Sequence, residues 1–329
     1  MRAVRSLTLG LVGVAVFSSA CIPSYRQCAD PADAGRLPEA TKLSQTGLFT
    51  SVSPEVLAPG VKTYEPRFQL WSDGAEKRRW YFLPAGAQID ASDRDAWQFP
   101  VGTKFWKEFT RDGVKVETRL LERTDSGWRA VAYVWNGDDA DAQPAGQVDA
   151  GMTAHDVPAA KDCVGCHGGT PSFVLGFSGV QLPVSSADGG TSIDSLTASG
   201  AFSTNLGPIP SLPGDETTQR ALGWLHANCA HCHNQHRPPP GALRCWDPKR
   251  EFDLSLRLDS LGSLAETPVM KTAKAEELSP GKPEASAIFT RTRGDLAAFQ
   301  QRMPPLATEV IDPDALPLLD AWIKSLPAK

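Results

Sequence analysis

The chain has 329 residues, 41% of them hydrophobic and 22% charged, with a formal net charge of −5. This length accommodates two or three domains of ordinary size, and the mild acidity excludes the electrostatic footprint of a nucleic-acid binder. After the apolar run near the N-terminus, no further stretch is long enough to cross a bilayer, so a membrane link would rest on a lipid.

The predicted elements begin with a secretory signal over residues 1–20. Arg2 and Arg5 precede an apolar run from Leu7 to Phe17, and the small residues Ser18-Ser19-Ala20 close it. Cys21 follows directly and reads as the acylated first residue of a mature lipoprotein. Ser18 stands where such signals usually carry Leu, and Ser18-x-Ala20 equally fits an ordinary cleavage site. Either reading predicts export to the periplasm or cell envelope, with lipid anchoring to a bacterial membrane favoured. Residues 21–45 are polar, with Pro, Ala and Asp, and read as a tether.

Residues 46–137 are strand-like. Val114, Val116, Thr118 and Leu120 alternate with Lys115, Glu117 and Arg119, which is period two. Asp112-Gly113 predicts a tight hairpin between this run and Lys104–Thr110. Trp128–Trp135, Lys77–Leu83 and Trp97–Phe99 add further strands. Trp71, Trp80, Trp97, Trp106, Trp128 and Trp135 fall in this segment, as core residues or as a sugar-binding platform, the core reading being favoured. Trp71-Ser72-Asp73-Gly74 and Asp90–Asp95 read as polar turns, because the ligand spacing of a calcium loop is missing. Residues 138–151, with Asp138, Asp139 and Asp141, read as a linker. Residues 152–214 follow as a segment whose later part, Gly176–Pro213, is rich in Gly, Ser and Pro and is expected to be mostly loop. In residues 215–329, Asp215 is expected to cap a helix from Glu216 to His226, and Pro283–Arg291 and Asp312–Leu326 read as further helices.

Two pentapeptides carry the chemistry: Cys163-Val164-Gly165-Cys166-His167 and Cys229-Ala230-His231-Cys232-His233. Each is C-x-x-C-H, the attachment sequence for c-type haem. The paired thiols, Cys163 with Cys166 and Cys229 with Cys232, add to the haem vinyl groups as thioethers. His167 and His233 then reach the irons as proximal ligands. Paired C-x-x-C units also bind zinc, but that needs both pairs in one small knuckle. Here they lie far apart in the chain, each with its own histidine, so two haems c are the expected cofactors.

For the second haem the expected distal ligand is Met303, in Arg302-Met303-Pro304-Pro305-Leu306, where prolines hold a stiff loop. Thioether ligation raises the reduction potential relative to two histidines. Met270 is a weaker candidate, and Arg302 is a candidate partner for a haem propionate. For the first haem no methionine lies between residues 168 and 228. His155 is the favoured distal ligand, with Met152 second and His226, His231 and His236 as alternatives. A five-coordinate iron is also open, and an exchangeable position would admit peroxide. Cys28 and Cys245 are left over, and in an oxidising compartment either pair as a disulfide or remain thiols.

The order helix, haem motif, helix, Met loop, helix over residues 215–329 resembles a cytochrome c domain. Further stretches resemble bacterial dihaem c-type cytochromes with a β-rich N-terminal region. They are Leu70–Trp80, Phe99–Lys104, Glu117–Leu121, Val131–Asn136, the first haem motif with Leu175-Gly176-Phe177, and Trp224–His233. The expected fold class is α+β and multidomain: an N-terminal antiparallel β-sandwich or barrel, a loop-rich first haem segment and a C-terminal all-α cytochrome c-like domain. The resemblance implies periplasmic single-electron transfer with a redox partner protein, no nucleic acid, and no membrane contact beyond a lipid anchor. The rival expectations are a dihaem peroxidase-like enzyme and a β-domain carbohydrate- or partner-binding module carrying redox centres.

Overall fold

The computed structural model describes residues 39–236, 252–294, 302–305 and 309–327. The signal, Cys21, Cys28 and Cys245 lie outside the described residues. The last residues of the expected tether are packed rather than extended: Leu43 is fully buried and the Tyr133 hydroxyl donates to Ala40 O at 2.9 Å.

Strands β1 (Phe49–Val52) and β2 (Glu55–Leu57) form a two-stranded antiparallel sheet. Strands β3 (Lys62–Thr63), β4 (Glu76–Phe82), β5 (Lys104–Arg111), β6 (Val114–Thr124), β7 (Gly127–Asn136) and β8 (Asp139–Ala142) form a six-stranded antiparallel sheet in chain order. The turn at Asp112-Gly113 has φ of 51° and 78°, the left-handed pair that matches the twist of a two-residue hairpin.

The expected sandwich or barrel is not what forms. The six-stranded sheet is open, because its edges β3 and β8 are two and four residues long and do not pair with each other. Loops, helices and the small hairpin cover its faces. The expected linker contributes β8, since Asn136 pairs with Asp139 across a two-residue turn. Trp97–Phe99 is not a strand; only a bridge between Asp90 and Gln98 forms there.

Side-chain alternation gives the central strands two different faces. On one, Trp80, Trp106, Leu120, Val131 and Tyr133 pack on Leu43, Leu48 and Phe49. The other presents three rungs set by the strand register. Tyr81, Phe105 and Leu121 form an apolar rung. Arg79, Lys107 and Arg119 form a cationic one. Lys77, Phe109 and Glu117 form the third. The apolar rung meets Phe177, which is fully buried, with its ring centroid 5.0 Å from those of Tyr64 and Tyr81 and 5.2 Å from that of Phe105.

The segment over residues 152–214 is less loop-like than its composition suggests. It holds helices α1 (Ala160–His167) and α2 (Ile193–Ala198), the latter capped by Ser192, whose side chain accepts from Ser195 N at 3.1 Å.

The expected all-α cytochrome c-like domain over residues 215–329 is likewise not formed as a separate unit. Among the described residues this stretch holds helices α3 (Glu216–Asn228), α4 (Pro268–Thr272), α5 (Ala287–Arg293) and α6 (Ala315–Ser325) with short 3-10 turns between them. Asp215 caps α3 as expected, accepting from Thr218 N at 2.8 Å. The core of this region, with Leu222, Leu225, Leu319, Trp322 and Ile323, also takes in Val180 and Leu212 from the preceding segment. Phe68, which leads into β4, packs against it too. Proline starts α4, and Gly294, with φ of 85°, ends α5, so neither helix lengthens enough to build a self-sufficient bundle.

Gly223 on α3 shows how closely the layers are joined, because a Cβ there would overlap the Phe68 ring. Gly223→Ala is therefore expected to destabilise the fold by about 1–3 kcal/mol through overpacking. That outweighs the gain of about 1 kcal/mol that alanine brings to an open helix interior. Urea unfolding with an unchanged m-value checks it; a more stable variant would mean that Phe68 can withdraw.

Candidate functional site

Both C-x-x-C-H motifs sit at helix ends. The first occupies the second half of α1, whose start is held by Asp162 accepting from Ala159 N at 3.1 Å. The second follows α3 without a break: Cys229 N donates to Leu225 O at 2.9 Å, and His233 N to Cys229 O at 2.9 Å. Asn228 fixes this end of α3. Its Nδ2 donates to Trp224 O at 2.9 Å and to Gln69 O at 3.2 Å, and its Oδ1 accepts from Trp71 N at 2.7 Å.

The fold brings the two motifs into contact. The Cys166 thiol is hydrogen-bonded to the side chains of Cys232 and His231, with Cys232 making the larger contribution to holding its pKa below that of an ordinary thiol. Asn234, itself buried, donates from Nδ2 to Gly169 O at 2.9 Å and to Ala230 O at 2.6 Å, tying the residues that follow one motif to those that follow the other. Burial pushes the outer thiols the other way, Cys163 up to about 11 and Cys229 up to about 12. None of these four cysteines is in a disulfide. Proximity of the two pairs is one condition for a shared zinc site. Among the described residues, however, no three His, Cys, Asp or Glu side chains converge as ligands for one ion.

His167 has the geometry of a metal ligand. Its Nδ1 lies 2.7 Å from Phe173 O. A carbonyl oxygen only accepts, so Nδ1 carries the ring proton and Nε2 keeps its lone pair. Burial, the largest effect, lowers the His167 pKa to about 4 and keeps the ring neutral. The supporting Phe173 is stacked on Trp128, with centroids 6.2 Å apart and planes 9° apart. His233 stacks on Phe252 at 4.6 Å.

The other ligand candidates separate by their partners. His155 Nε2 is 2.7 Å from Glu117 Oε1, both residues are buried, and the ring lies 5.2 Å from that of Phe109. Its Nε2 is thereby engaged within a His155–Glu117–Arg119 cluster. Met152 is fully exposed. His226 Nδ1 accepts from Leu256 N at 3.0 Å, so in the neutral ring the proton is on Nε2 and no lone pair faces outward. Burial lowers its pKa to about 4, which favours that neutral form. His231 stands against Cys166, and His236 is exposed beside Gln235. Met303 is half-buried and its N–H donates to Arg291 O at 3.1 Å, docking the loop on the end of α5. Arg302 donates to Glu309 O at 2.9 Å, and Met270 packs at the margin of the α3–α6 core.

Trp80, Trp97 and Trp106 are buried, so they form core and not a surface platform. The Trp71-Ser72-Asp73-Gly74 segment is a clasp: Trp71 Nε1 donates to Val310 O at 2.8 Å, and Asp73 Oδ1 accepts from Val310 N at 2.7 Å.

Two cavities flank the motifs. One is lined by Cys163, His167, Lys107, Arg119, Leu121 and Leu175. The other, partly open to solvent, is lined by Leu70, Lys107, Val174, His226, His231 and Leu256 among others. The residues present fit haem attachment at the first motif by their chemistry: a neutral, oriented imidazole and a cysteine open on one cavity. Lys107, Arg79 and Arg119 were not apparent as site residues from composition. The signal that finds them is the hairpin register, since the Asp112-Gly113 turn sets Lys107 opposite Arg119.

No family model, curated protein or solved structure matches the chain.

The Glu117 cluster generates a stability prediction. Burial raises the Glu117 pKa, but Arg119 and then His155 more than offset it and hold the carboxyl below its ordinary value. A folded-state pKa below the unfolded one gives stability that is full above the ordinary carboxylate range and lost as pH falls through the folded value. Glu117→Ala is expected to cost about 3–5 kcal/mol near neutral pH, because it leaves Arg119 and His155 without their anion. The difference from wild type should shrink in acid. Urea unfolding across that range checks it, and a pH-independent difference would mean the loss is one of packing.

Proposed function

We propose that the chain is an exported dihaem c-type cytochrome that relays single electrons in the bacterial cell envelope. One haem c is carried by Cys163, Cys166 and His167, the other by Cys229, Cys232 and His233. The observation that carries this reading is the direct contact between the motifs, Cys166 with Cys232 and Asn234 with Gly169. Each bound haem supplies an iron that alternates between ferric and ferrous states. With the attachment points touching, an electron needs no domain motion to pass from one centre to the other.

The chain's residues hold and tune the centres. Phe173 O fixes the His167 tautomer and aims Nε2 outward. Met303 is the distal ligand proposed for the second iron, a choice that raises its potential. Export and lipid attachment through Cys21 rest on the N-terminal signal. The partner is a redox protein of the same compartment.

The engagement of His155 by Glu117 and the exposure of Met152 favour a second reading, in which the first iron keeps an exchangeable position. The chain would then reduce peroxide, which takes up two electrons and two protons to give two waters, the electrons entering from the partner through the second centre.

Haem counting by pyridine hemochrome tests the proposal. Two haems per chain are expected, and one after Cys163→Ala with Cys166→Ala; a purified chain without covalent haem overturns the reading. Ligand-inert low-spin spectra in the oxidised protein support the relay. A high-spin component that shifts with cyanide supports the peroxide reading.

A further inference from the structure

The cationic rung of the sheet has no anion of its own. Arg79 pairs with Lys107 across β4 and β5, and Lys107 with Arg119 across β5 and β6, all on one face. Like charges directly opposite one another in a sheet are destabilising. The three rungs of this face hold four cations, Lys77, Arg79, Lys107 and Arg119, against the single carboxylate of Glu117. Glu117 is already shared by Arg119 and His155. Arg79 donates to the neutral Gln69 amide oxygen at 2.6 Å, with the Glu65 carboxylate acting on it from beyond that amide. Lys107 makes no hydrogen bond or ion pair with any described residue; it is half-buried and lines both cavities. Burial, then Arg79 and Arg119, pull its pKa well below that of an ordinary ammonium, so the row holds its full charge only when an anion enters the cavities beside it.

The cavity walls say which anion. Lys107 and Arg119 share one wall system with Cys163 and His167. Lys107 and Arg79 share the other with Ala230 and His231. A group attached at Cys163 beside His167 meets this row, and the second cavity carries the row to the edge of the other motif at Ala230 and His231. We infer that Arg79, Lys107 and Arg119 form a carboxylate-binding row that takes haem propionates, with Lys107 as the central cation lining both cavities. This inference rests on the haem reading above. Charge-assisted hydrogen bonds from ammonium and guanidinium groups to carboxylate supply the counter-charge that the sheet lacks. A cation at that position favours the reduced centre, which carries one positive charge fewer.

The test uses the full-length, haem-loaded protein as wild type, Lys107→Met and Lys107→Arg, titrated electrochemically and examined by resonance Raman spectroscopy. Lys107→Met is expected to keep two haems and the wild-type spin state, to lower the midpoint potential of at least one haem, and to shift the propionate bending bands. Lys107→Arg should return both towards wild type. A two-haem Lys107→Met protein with wild-type potentials and bands overturns the inference and leaves the haem reading standing. A wild-type chain without haem removes the haem reading itself, and the inference with it. If the potentials respond to Lys107→Met only when inorganic phosphate is added, the row binds a soluble anion and the propionate assignment is overturned. Should Lys107→Met fail to fold, Arg79→Gln is read by the same criteria.

Discussion

Burial of Phe177 against the sheet is the contact on which the arrangement of the site depends. Its ring is enclosed by Tyr64, Tyr81, Phe99 and Phe105, with Trp97 behind. Aromatic residues of this size dominate core energetics, and edge-to-face contacts add to the area term. Phe177 closes the segment that follows the first motif, so anchoring it places Val174 and Leu175 beside the sheet and α1 against β7. Phe173, held against Trp128, then stands where its carbonyl can receive His167 Nδ1–H. An apolar packing event thus determines which nitrogen of a distant imidazole keeps its lone pair.

One rung further along the same strands the physics reverses. Tyr81, Phe105 and Leu121 bury apolar area, whereas Arg79, Lys107 and Arg119 line up three basic side chains, of which Arg79 is buried and the other two half-buried. The next rung is mixed, and Glu117 offsets only part of that charge while it also receives His155. A sheet with a fully apolar face would be easier to stabilise. Retaining a cationic rung opposite the two cysteine motifs makes structural sense if an anion completes it, and the proposed propionates have the right charge and would arrive at the right place.

The sheet's central strands were legible in the sequence for a simple reason. Alternation over Val114–Leu120 is a local property, and Asp112-Gly113 accepts the positive φ that a two-residue hairpin needs. Whether the sheet closes is not local. It depends on β3 and β8, whose shortness leaves two unjoined edges, and β8 lies in an acidic, glycine-bearing stretch that reads as linker. Of the C-terminal helices, α3 was legible from its Asp215 cap and α5 and α6 from their apolar residues, although Pro283–Ala285 forms a 3-10 turn ahead of α5 and α4 was not foreseen. Their failure to form a separate domain was not, because it turns on Phe68 fitting against Gly223 and on Val180 and Leu212 joining the same core. His155 is a candidate ligand on sequence distance from Cys163, but the strand that carries Glu117 passes beside it and takes its Nε2.

The sequence by itself marked the two C-x-x-C-H motifs and determined the hairpin register and the capped start of α3, since each depends on neighbours within a few residues. Tertiary structure alone decided that Cys166 meets Cys232, that His167 presents Nε2, that His226 does not, and that Lys107 lines both cavities beside the motifs. Each of these depends on side chains far apart in the chain. They meet because burying Phe177, Phe68 and Leu222 outweighs the entropy of ordering the segments between them. Composition and spacing cannot express that balance, because it is a property of the packed whole.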